Sequence, residues 1–138
     1  MIKKMNDKEK IERLIDANLN RLKEGLRVIE DINRYIFNHK EYTSEIKLLR
    51  HKLQPFYSIN RLTYRDIHLD IQKDSISSEL TRTSIQDILI ANFSRVQESS
   101  RVLEETYKLY DIKSSEVFKK IRYQLYHIEK NTFSTHYT

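Results

Sequence analysis

ANLNRLKEGLRVIED, at 17–31, is written a second time as ANFSRVQESSRVLEE, at 91–105. The copies stand 74 positions apart and share Ala17/Ala91, Asn18/Asn92, Arg21/Arg95, Glu24/Glu98, Arg27/Arg101, Val28/Val102 and Glu30/Glu104. At 100° per residue, Ile15, Leu19, Leu22, Leu26 and Ile29 fall on one face of a helix, and Leu89, Phe93, Val96 and Leu103 do the same in the second copy. The polar matches need another explanation. Asn18, Arg21, Gly25 and Val28 form a stripe along one flank of the apolar face, repeated by Asn92, Arg95, Ser99 and Val102. Asparagine is a weak helix former and an interior glycine costs about 1 kcal/mol relative to alanine, so neither is there for the helix itself. Their place on the flank predicts a close approach there, by another helix or by a ligand.

Working outward, Asn6 or Asp7 is placed to cap a first helix running to about Phe37 or Asn38. Lys40 to Thr43 reads as a short connection. A second helix then turns Ile46, Leu49 and Leu53 inward until Pro55 ends it near Gln54. Thr83 with Gln86, or Ser84 with Asp87, opens a third helix that continues to about Tyr110. Ser114 or Ser115 caps a fourth through about Lys130, with Phe118, Ile121, Leu125 and Ile128 inward, and the tail after it is expected to fray. Leu49-Arg50 aligns with Ile121-Arg122, so the repeat reaches the partner helices. The expected fold is an all-α bundle, one domain over 1–138. It is read as two helical hairpins, about 8–57 and 84–130, joined by a long polar loop at about 58–83.

Composition agrees. One glycine and one proline among 138 residues leave little turn chemistry, and 38% hydrophobic with 33% charged residues suits one helical core. No cysteine is present, which excludes disulfides, thiolate nucleophiles and cysteine-bound metals. The net charge of +5 points to an anionic partner. Because bases alternate with acids, a phosphorylated small molecule fits better than nucleic acid. There is no signal-like or membrane-spanning apolar run, so a cytoplasmic location without membrane attachment is expected. The two long helices predict a homodimer.

The chemistry-bearing residues have bland alternatives. Arg21 with Glu24 and Arg27 with Glu30 are i, i+3 pairs of the kind found on any solvated helix. Their retention in both copies argues for more. In the loop, Asp66, Asp70 and Glu79 supply the hard oxygen ligands that Mg²⁺ prefers, or a solvated acidic surface. Arg65 and Arg82 have the planar fork that grips phosphate, or they pair with those acids. Glycine-rich phosphate loops of the GxxxxGK[ST] and GxGxxG types are absent.

Taken in order, ANLNRLKEGLRVIEDI, LLRHKL, RDIHLDI, ELTRTSIQDILIANFSRVQESSRVLEE and IRYQLYHIEK resemble a small helical family of monofunctional hydroxymethylpyrimidine phosphate kinases of thiamin biosynthesis, found alone or fused to thiamin-phosphate synthase. One departure is Asp70-Ile71-Gln72-Lys73, where the family pattern has a glycine-containing turn. The resemblance implies an ATP-dependent, Mg²⁺-assisted phosphoryl transfer onto the phosphate of hydroxymethylpyrimidine phosphate. On that reading Arg21, Arg95 and Asp70 are catalytic, and Arg65 and Arg82 hold phosphates. Asp66, Asp70 and Glu79 position the metal, and Asn18, Asn92, Glu24 and Glu98 read the pyrimidine. The alternative is a non-catalytic helical module that docks to another enzyme of the pathway.

Overall fold

The computed structural model describes residues 4–65, 70–71 and 81–138, and these form an all-α fold. Helix α1 spans Asp7–Asp31. Asn6 caps it through a capping box, its side chain accepting from the Glu9 N–H while Glu9 accepts from the Asn6 N–H. A π-helical turn at Ile32–Ile36 carries the chain on to Asn38, whose positive φ of 52° breaks the run. Helix α2 spans Lys40–Lys52, and Pro55 follows in a 3₁₀ turn at Gln54–Phe56. A second 3₁₀ turn covers Ile59–Tyr64. Helix α3 spans Ile85–Tyr107, with Ser84 accepting from the Asp87 N–H, and α4 spans Ile112–Tyr137.

Helix α1 packs mainly on α3, with α2 against α1 and α4 against α3. Every apolar residue assigned inward on the four helices is buried, from Ile15 and Leu19 on α1 to Leu125 and Ile128 on α4. The α1 and α3 helices run antiparallel, since Gly25 meets Asn92 and Val96 while Asn18 and Arg21, earlier in α1, border a cavity with Ser99 and Val102, later in α3. Gly25 is therefore a helix–helix contact: an added Cβ would stand 2.5 Å from Val96 Cγ1.

Matching side chains of the two copies make matching bonds. Arg50 donates twice to Glu30, and Arg122 donates twice to Glu104. Arg27 pairs with Glu30 and Asp31, as Arg101 does with Glu104 and Glu105. Asn18 Nδ2 donates to the Leu14 carbonyl and Asn92 Nδ2 to that of Ile88.

Four local expectations are corrected. Lys40 to Thr43 is the first turn of α2, because His39 Nδ1 accepts from the Tyr42 N–H, and histidine is not among the favoured caps. Asp111, rather than Ser114 or Ser115, caps α4. The tail stays helical to Tyr137 because tertiary contacts hold it: Thr132 is buried, Phe133 packs toward Phe93, and His136 stacks on Phe37 at 3.8 Å. Three of the loop's apolar residues, Ile59, Leu62 and Ile71, are exposed and do not anchor it; Ile67 and Leu69 lie outside the described residues. Among the described residues no helix is long and apolar enough to cross a membrane.

Candidate functional site

On α1, the residues one step off the apolar face open onto two adjoining cavities. The first, about 490 Å³, lies between α1 and the chain after the second 3₁₀ turn; Asn18, Arg21, Arg65 and Asp70 line it, together with Asp16 and Lys10. The second, about 420 Å³, lies between α1 and α3 and is lined by Asn18, Arg21, Arg95, Glu98 and Ser99 among others. Asn18 and Arg21 belong to both. The helix crossing thus brings Arg21 and Arg95, equivalent in the sequence repeat, to a single cavity.

Charge separates these two arginines from six others. Arg27, Arg50, Arg61, Arg65, Arg101 and Arg122 all form ion pairs with acids. Among the described residues Arg21 and Arg95 have none, although both line one cavity, where two like charges repel. Such a pair is relieved by an anion able to accept from both guanidinium groups. Asn18 adds a polar acceptor: its Nδ2 is used by the Leu14 carbonyl, while its buried Oδ1 has no hydrogen-bond partner. Buried acceptors are rarely left so, and a ligand N–H would satisfy this one.

Arg65 is held across the first cavity. Its Nε and Nη2 donate to Asp16 Oδ2 and Oδ1, both at 2.8 Å, and the Asp16 carboxylate raises the guanidinium above the ordinary arginine value. One turn back, Arg61 pairs with Glu12 and donates also to the Phe56 carbonyl and the Tyr107 hydroxyl. These two rungs hold the second 3₁₀ turn along α1. Beyond them, Lys23 lies 5.2 Å from the centre of the Tyr57 ring, and burial pushes the Tyr57 hydroxyl up to about 12.

The remaining sequence candidates are placed as follows. Glu98 lines the second cavity and an adjoining hollow with Arg101 and Tyr126. Glu24 is exposed on α1, outside both cavities, with its charge acting on Arg65. Asn92 is buried against Gly25 within the α1–α3 interface and lines neither cavity. Arg82 precedes α3 and donates to the Thr81 carbonyl. Asp66 and Glu79 lie outside the described residues, so of the expected metal trio only Asp70 is placed. Among the described residues no group of three His, Cys, Asp or Glu is arranged to hold a metal.

Asp16 is the site residue that sequence reasoning missed. Its signal was a spacing: Glu12 and Asp16 are four apart on α1, as Arg61 and Arg65 are at the second 3₁₀ turn, so one turn on each side brings two acids against two bases.

Comparison with known proteins supplies the remaining context. The ThiD2 family model matches residues 13–131. A thiamine-phosphate synthase of Nostoc punctiforme is 38% identical over 136 residues, covering 95% of this chain and 39% of that protein. Thiamine-phosphate synthases of a second Nostoc strain and of a Synechocystis strain are 41% and 38% identical, each covering 86% of this chain and 34% and 35% of theirs. The chain thus spans little more than a third of the relatives' length. No solved structure matches it. The relatives' name overturns the expected reaction: they are thiamine-phosphate synthases, not hydroxymethylpyrimidine phosphate kinases, and phosphoryl transfer from ATP is a different chemistry. The physical reason for the error is that arginines which grip a phosphate serve equally in binding it and in transferring it, so the inventory of side chains could not name the reaction.

Proposed function

The chain belongs to the ThiD2 family of thiamin-biosynthesis domains, and from that premise we propose that it is a binding domain for a phosphorylated aminopyrimidine used in making thiamin phosphate. The observation that carries this reading is the convergence of Arg21 and Arg95, both without an acid partner among the described residues, on one cavity with Asn18. Two guanidinium groups suit the oxygens of a phosphate or diphosphate, and the unpartnered Asn18 Oδ1 suits a ring amine. The relatives' name supports the pathway, because thiamin phosphate contains both an aminopyrimidine and a phosphate. In those relatives the matching region is joined to a much longer chain, an arrangement that would keep such a ligand close to the synthase.

The test is calorimetric titration of the purified chain with hydroxymethylpyrimidine, its monophosphate and its diphosphate. The phosphorylated forms are expected to bind and the free alcohol to bind at least about tenfold more weakly, since a charge-assisted hydrogen bond contributes about 1.5–3 kcal/mol. Arg21→Ala and Arg95→Ala should each weaken the phosphorylated ligands by about tenfold or more. Wild-type affinity in both variants, or no binding of any form, would refute the reading.

A further inference from the structure

Asp16 and Arg65 stand in the first cavity as a bidentate pair, with the acid well buried, its side chain 12% exposed, and the base 42% exposed. The neighbouring rung is built differently. Arg61 is 14% exposed and divides its donors among Glu12, the Phe56 carbonyl and the Tyr107 hydroxyl, so it is fixed by three partners on three elements. Arg65 has Asp16 alone as hydrogen-bond acceptor among the described residues. Of two ion pairs one helical turn apart, that of Arg65 is the more open to solvent and the less cross-linked.

What can replace Arg65 on Asp16 follows from shape. A guanidinium presents two parallel N–H donors to a carboxylate across an N–C–N unit. An aminopyrimidine has the same edge, an exocyclic amine beside a ring nitrogen, and with that nitrogen protonated it offers two parallel donors as well. We propose that Asp16 is the carboxylate that recognises this edge of the ligand, and that Arg65 fills its place until the ligand arrives. Once displaced, Arg65 remains in the same cavity, beside Arg21, and turns its fork to the ligand's phosphate. Asp16 thereby keeps a cationic, two-donor partner in both states, and its buried charge is never left alone. Asn18 also lines this cavity, and its unpartnered Oδ1 is the acceptor left for the remaining amine N–H. This inference rests on the reading of the site as one for a phosphorylated aminopyrimidine and assigns its ring-recognising residue.

Asp16→Asn separates the two ends of the ligand. Titrated with hydroxymethylpyrimidine monophosphate, the variant is expected to bind about tenfold or more weakly than wild type. Titrated with inorganic pyrophosphate, which has no ring, it should bind as well as wild type or better, because Arg65 is released. Glu12→Gln breaks the sister ion pair but leaves Arg61 its bonds to the Phe56 carbonyl and the Tyr107 hydroxyl, and should weaken the pyrimidine far less than Asp16→Asn does. Equal weakening of both ligands in Asp16→Asn would make Asp16 merely structural and overturn the proposal, as would an unchanged affinity for the pyrimidine. If the wild-type chain binds neither probe, the proposed function itself fails, which is a distinct result. Should Asp16→Asn not fold, the Arg65 Nε–H resonance of the wild-type protein gives the answer: it must shift when the pyrimidine binds, and a static signal overturns the exchange.

Discussion

Gly25→Ala places a methyl group where α1 and α3 are closest. The new Cβ would lie 2.5 Å from Val96 Cγ1, against an ordinary carbon–carbon contact of about 3.5–4.0 Å, so the overlap is about 1 Å or more. Val96 is fully buried, and a β-branched side chain in a helix has one strongly preferred rotamer, which leaves the strain to the helix separation. Overpacking of this kind costs about 1–3 kcal/mol. Alanine recovers about 1 kcal/mol of helix propensity relative to glycine. The net expectation is a loss of up to about 2 kcal/mol, read as a lower urea midpoint at unchanged slope. A double-mutant cycle isolates the contact. Val96→Ala alone should cost about 2 kcal/mol through the void it leaves. In the double variant the two methyl groups no longer collide, so the loss should fall short of the sum of the singles by about 1 kcal/mol or more. If Gly25→Ala stabilised the protein by its full propensity gain and showed no coupling to Val96, the close helix approach would be wrong.

Glu104→Ala should destabilise by about 3 kcal/mol or more, because it strands the Arg122 guanidinium at 10% exposure, and Glu30→Ala should cost less since Arg50 is more open to water; urea titrations compare them. Arg101→Ala, on the exposed side of the same acid, should cost no more than about 1 kcal/mol in the same assay. Burial and the nearby His39 hold the His136 imidazole below its ordinary value, so the unfolded chain takes up the proton first; stability should fall as pH drops below about 6.5 and level off under the lowered folded value. Thermal melts between pH 8 and 5 would show this, and His136→Phe, which keeps the stacking on Phe37, should remove its share. Phe133→Ala should cost about 2 kcal/mol if the last turns of α4 are part of the packed structure, and nothing measurable by thermal melt if they fray.

The helices and their buried faces were legible in the sequence because both depend on neighbours three and four residues away. Ile15 through Ile29 on α1 and Leu89 through Leu103 on α3 follow a spacing that a single helix suffices to explain. The flank bearing Asn18, Arg21 and Arg95 was legible too, because a helix leaves a repeated polar stripe facing one way. Asn92, in the same register as Asn18, was read as a site residue, yet the crossing of α1 over α3 buries it beside Gly25.

What only the tertiary structure decided is which charges neutralise one another. Arg61 and Arg65 find Glu12 and Asp16 across 49 residues of chain, and Arg50 reaches Glu30 across 20, whereas Arg21 and Arg95 form no ion pair among the described residues, although Glu98 lines the same cavity. The bonding capacity of an arginine is the same in every setting, and its role depends on whether a carboxylate is already there. Helical periodicity is a local property, and the sequence alone determined it; the pairing of charges is a property of distance, and distances between remote residues exist only once the helices have packed.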